Sequence, residues 1–192
     1  MTLYELLIRV DFVLAVGLLV IAPLILLGLS LRQRGLRGRM LVYWRASALL
    51  GITVYFWADA EPIGFATGYL ARLLIPLALW RGDVFFAIRM HGPLTGDTAR
   101  VRSFKAWQYV AIVYNLMGLV YMLPLWQCVV GEDGLRLCQA WYGPAQQYAA
   151  WVHPTLDSMW LARYAWFALG LYALYLLASG LRFQRLRARQ RV

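Results

Sequence analysis

A chain of 192 residues that is 62% hydrophobic and only 15% charged departs from soluble domains, which run near half apolar and a quarter charged. Its formal charge of +10 comes from 18 Arg and one Lys, most of them beside apolar runs. Membrane topology explains that placement, and no helix-turn-helix, RNA-recognition or zinc-finger pattern supports a nucleic-acid partner.

Apolar runs of about 18–20 residues recur along the chain, enough to cross roughly 30 Å of hydrocarbon. With a mean hydropathy of +0.58, they predict an all-α fold. It is a polytopic membrane helical bundle, a single integral membrane domain over residues 1–192 with the lipid bilayer as its solvent. The opening segment MTLYELLIRVDF sets Glu5 and Asp11 against Arg9. It lacks a signal-peptide n-region and is expected to be retained ahead of the first span.

That span is predicted over 12–31, kinked at Pro23. A short loop with Arg32, Arg34, Arg37 and Arg39 leads to a second span over 41–58. The acidic turn Asp59-Ala60-Glu61-Pro62 reverses the chain into a third span, 63–80, which Pro62 suits as an opening residue. A polar connection, 81–105, carries Arg81, Arg89, Arg100, Arg102 and Lys105, and its HGPLTGD reads as a loop. A fourth span over 106–125 follows, then an aromatic-rich loop, 126–159, a fifth span over 160–181 and a basic tail, 182–192.

The loop 32–40, the connection 81–105 and the tail together hold 14 of the 19 Lys and Arg. The positive-inside bias therefore puts the N-terminus outside, the 126–159 loop outside and the tail in the cytoplasm. Trp44, Trp57, Trp80, Trp107, Trp126 and Trp160 fall near the predicted helix ends, as an interfacial aromatic belt would.

Few residues carry chemistry. Cys128 and Cys138 are the only cysteines and share the outer loop across VVGEDGLRL. A disulfide is the leading reading, with free thiols or redox and metal chemistry as alternatives. His91 and His153 both fall in loops, which disfavours a haem held from within a span and leaves pigment contact at an interface open. No cofactor or metal site is indicated, and no phosphate-binding loop, dinucleotide fingerprint or hydrolase elbow occurs. Asp59 and Glu61 read as a solvated turn that caps the third helix.

Two arginines lie within spans. Arg45 is about one turn from the inner end of its helix and can snorkel to the headgroups. Arg72 lies about 13 Å from either end of its own, where insertion scales charge about 2.5–3.5 kcal/mol for an arginine. Ala60, Gly64, Gly68 and Arg72 recur every four residues and form one small-residue stripe, a candidate helix-packing face. No acid is expected at matching depth within this chain. Asn115 is therefore the leading partner of Arg72, with Tyr55, Tyr114 or carbonyls freed near Pro23 and Pro76 in support. A neutral partner leaves room for an external anion, a lipid phosphate or another subunit's carboxylate.

The stretches YWRASALLGITVYF (43–56) and PIGFATGYLARLLIPLALW (62–80) resemble the central block of a family of small multi-pass membrane proteins from cyanobacteria, to which no activity is assigned. The resemblance extends over most of the chain. It implies a photosynthetic cell and a plasma or thylakoid membrane, and makes Arg45 and Arg72 part of a family pattern.

Function is expected to be non-catalytic: an accessory or assembly component of a larger membrane complex, associating with other subunits or with itself, with anionic lipid as a further candidate partner. Five spans do not divide into the equal inverted repeats of many transporters. The alternatives are a small oligomeric transporter or channel for an anionic solute, lined by Arg72 and Asn115, and an outer-face enzyme built on Asp59, Glu61 or His153.

Overall fold

The computed structural model describes residues 2–31, 33–85, 94, 98–130 and 136–189, and within them it is helical, with no strand. His91, Arg89, Arg32, the Gly-Glu-Asp-Gly turn at 131–134 and most of HGPLTGD lie outside the described residues. Five helices are long and apolar enough to cross a membrane. We number the helices α1 (Leu3–Ser30), α2 (Arg34–Ala58), α3 (Ile63–Phe85), α4 (Ala99–Val129, with a tight turn at Leu123–Leu125), α5 (Arg136–Val152) and α6 (Ser158–Arg189). The spans are α1, α2, α3, α4 and α6.

α1 begins nine residues before its predicted start. Thr2 and Glu5 explain why: the Thr2 hydroxyl accepts from the Glu5 amide (3.2 Å), and the Glu5 carboxylate accepts from the Thr2 amide (3.0 Å). This reciprocal cap pairs two amides that a helix start leaves open. Residues 5, 9 and 11, which read as a charged flank, are therefore helical.

Pro23 acts less as a kink than as the cause of a widened turn. Over Gly17–Ile21 the helix loosens, and the Ala22 amide reaches back to the Gly17 carbonyl. The Leu18 carbonyl thereby loses its usual donor, and Pro23 has no N–H to offer Leu19. Other helices fill both gaps: Trp107 of α4 donates to Leu18 O (2.8 Å), and the Tyr43 hydroxyl of α2 donates to Leu19 O. These carbonyls, expected near Arg72, are thus already taken.

α2 is the hub, packing on α1, α3, α5 and α6, with its most extensive contact to α3. The small-residue stripe explains the closeness of that hairpin. A β-carbon on Gly64 would sit 2.5 Å from Cδ1 of Trp57, and one on Gly68 would touch Thr53 and Met122. Ala60 holds the turn with φ of 56°, a left-handed conformation uncommon outside glycine. Deeper in the hairpin, the Thr53 and Thr67 hydroxyls meet at 2.8 Å.

Further boundary expectations are corrected. α2 begins at Arg34 and α4 at Ala99, each seven residues before its predicted start, so most of the 32–40 loop and the end of the 81–105 connection are helical. The 126–159 segment is mostly α5, whose buried Cys138, Trp141, Tyr142, Ala145 and Ala149 recur at helical spacing and pack on α1 and α2. The 182–192 tail is largely a continuation of α6, which runs on to Arg189. The aromatic belt is half right. Trp80, Trp126 and Trp160 are exposed, but Trp57 and Trp107 are core residues, Trp57 lying against Phe65 and Trp141.

Candidate functional site

Arg72 stands near the middle of α3, nine residues from Ile63 and nine from Arg81. Its partner is Asp11, about 12 Å along α1 from Leu3. Nη2 of Arg72 donates to Oδ2 of Asp11 at 2.7 Å, and the two side chains are 7% and 17% exposed. A third helix completes the node. The Tyr114 hydroxyl of α4 lies 2.7 Å from Oδ1 of Asp11 and 2.9 Å from the Asp11 carbonyl, sharing its one proton between them. The Arg72 guanidinium also lies 5.3 Å from the centre of the Tyr114 ring, within cation–π range.

Gly118 makes room for this arrangement. One turn along α4 from Tyr114, it lies directly under the guanidinium, and a β-carbon there would overlap Nη1 of Arg72. Nη1 itself is buried and has no acceptor among the described residues. The node therefore joins α1, α3 and α4 with one charge of each sign, and a charge pair in apolar surroundings is far less costly than a lone guanidinium.

The expectation that no acid shares Arg72's depth is overturned by this contact. Asn115, expected as the partner, is fully buried but turns back on its own helix, donating to the Ala111 carbonyl at 2.7 Å. Its Oδ1 has no partner among the described residues. Tyr114, named only in support, is a direct member. Gly118 was missed. The one available signal was its position four residues after Tyr114 in YNLMG, the spacing that puts both on one helix face.

Arg45 is not part of this site. It is exposed on α2, where Nη1 donates to the Tyr175 hydroxyl of α6 at 2.8 Å and the guanidinium sits 5.5 Å from that ring's centre. Asp59 accepts from the Ser158 hydroxyl (2.6 Å), tying the α2–α3 turn to the start of α6. Nε2 of His153 is 3.1 Å from the Tyr55 hydroxyl. Cys128 and Cys138 are joined, with sulfurs 2.03 Å apart, and so clamp the end of α4 to the start of α5.

Asp11 and Arg72 also form part of the wall of a cleft of about 380 Å³ between α1 and α2, roofed by α5. A family profile described as protein of unknown function (DUF3177) matches residues 5–189. The chain belongs to that family. No curated protein and no solved structure matches this DUF3177 chain. The match takes in the Asp11, Arg72, Tyr114 and Gly118 positions and both cysteines, so the whole site lies within the family's span.

Proposed function

We propose that this protein is a non-catalytic accessory or assembly component of a larger membrane complex, with its N-terminus outside and its C-terminus cytoplasmic. The observation that carries the reading is the internal pairing of Arg72 with Asp11. The span residue best suited to meet an anionic solute is neutralised within the chain and serves as a strut between three helices. The faces left uncovered fit association: α1 and α6 each bury only 11% of their apolar windows, and Gly28 and Gly170 have open space beside them. Small residues on such faces let a neighbouring helix approach closely. The basic loops support the orientation, and the resemblance of residues 43–56 and 62–80 supports a cyanobacterial plasma or thylakoid membrane.

A second reading, a small oligomeric transporter of an anionic solute, draws on the cleft that reaches Asp11 and Arg72. One experiment separates the two. Native purification from the membrane followed by mass spectrometry is expected to give a hetero-complex of fixed stoichiometry. A homo-oligomer that passes anions in liposomes, and stops on Arg72→Leu without unfolding, would overturn the accessory reading.

A further inference from the structure

The cleft beside the ion pair has a shape that no polar solute requires. Its walls run from Ile8 to Val20 on α1 and from Trp44 to Trp57 on α2, about 18–20 Å along the helices. A volume of about 380 Å³ spread over that length makes the cleft several times longer than it is wide, the proportions of an extended chain. The length exceeds one leaflet's share of the roughly 30 Å hydrocarbon core.

Chemistry varies along the cleft in the same sense. Most of the wall is apolar, and the charges of Asp11 and Arg72 are spent on each other. Ser47 and Thr53 also line the cleft, but their hydroxyls are bonded to the Trp44 and Leu49 carbonyls of their own helix, whereas the Tyr55 and Tyr148 hydroxyls stand under α5. The Tyr55 hydroxyl contacts His153, whereas the Tyr148 hydroxyl has no hydrogen bond among the described residues. The side is open: Val20, Ala48 and Gly51 line the cleft and are exposed, and nothing lies within 4 Å of where a Gly51 β-carbon would be. That opening lies at hydrocarbon depth, where acyl chains are the surrounding solvent.

We propose that this cleft retains one glycerolipid, with an acyl chain laid between α1 and α2 and an ester carbonyl under α5, within reach of the Tyr148 hydroxyl. A vacant slot of this width would forfeit dispersion contacts along both helices. A compact ring system would leave much of its length unfilled. The inference goes beyond an accessory role and stands whether or not the chain joins a larger complex.

The test uses the full chain, purified in a mild detergent and examined by native mass spectrometry. One glycerolipid per chain is expected on the wild type. Gly51→Leu, whose side chain enters open space, is expected to lower retention about tenfold or more with the helical content unchanged. As a readout independent of any variant, a phospholipid with a photoreactive acyl chain should cross-link in bilayers to Phe12–Val20 and Ala48–Tyr55. A lipid-free wild type overturns the proposal. So does retention unaffected by Gly51→Leu, an isoprenoid or pigment held in place of glycerolipid, or cross-links spread evenly over the outer faces of α4 and α6.

Discussion

Arg45 and Arg72 both stand at least nine residues from the ends of their membrane-spanning segments, and the bundle treats them in opposite ways. Arg72, at mid-helix, is buried against a carboxylate, a phenol and a glycine from two other helices. Arg45, on an exposed face of α2, donates to the hydroxyl of Tyr175 and lies over its ring. The difference teaches that burial decides how a charge must be met. On the outer face of a helix the long side chain can extend away from the bundle, so a neutral partner is enough. Between packed helices that route is closed, and an opposite charge has to come from the protein.

The sharpest way to break this contrast is Arg72→Leu. It leaves the Asp11 carboxylate, only 17% exposed, without its counter-charge, and about 3–5 kcal/mol of stability should be lost, read as reduced accumulation and a lower midpoint of thermal unfolding in detergent. Adding Asp11→Leu should recover most of that loss, because Tyr114 keeps the carbonyl of residue 11 as its acceptor. A double variant no better than Arg72→Leu would show that the pair is not the source of the cost.

Next in size is the covalent clamp. Cys128→Ser removes a link that closes a segment with a sequence separation of 10, worth about 2–3 kcal/mol by chain entropy. The loss should be confined to the docking of α5, seen as faster proteolysis between α4 and α5. Non-reducing peptide mapping of the wild type should recover the two cysteines as one linked peptide.

Gly118→Ala tests the seat of the guanidinium. The methyl overlaps Nη1 of Arg72 and should force the side chain aside, at about 1–3 kcal/mol. Combined with Arg72→Leu, the same change should cost much less, since the atoms it meets are gone. Arg45→Leu should have the smallest effect, under about 1 kcal/mol, and no dependence on residues 11 or 114. A loss matching that of Arg72→Leu would erase the distinction between the two sites.

How much of this was legible beforehand varies by residue. The five spans and the α2–α3 stripe follow from hydropathy and four-residue spacing. Asp11 was hidden because a window that scores charge as a flank ends the helix before it. The Thr2–Glu5 cap, visible as T-x-x-E at a chain start, was the signal that would have extended it. α5 was hidden by its glutamines and tyrosines, although Cys138, Trp141, Tyr142, Ala145 and Ala149 carry a helical period. Trp57 and Trp107 misled because aromatic residues near helix ends serve the core as readily as the interface.

By itself the sequence determined that the chain is a helical membrane bundle, where its spans lie and which residues are too costly to be left alone. Apolar run length, charge clustering and small-residue spacing are local properties, and a helix satisfies its backbone in hydrocarbon from within the same segment. Which groups meet at the centre was decided only by the tertiary structure. Asp11, Arg72 and Tyr114 are 61 and 103 residues apart when counted from Asp11, and no local pattern links them. Their meeting depends on how three helices pack, on Gly118 clearing the space, and on a cap that draws α1 far enough out to carry its carboxylate to the depth of the guanidinium.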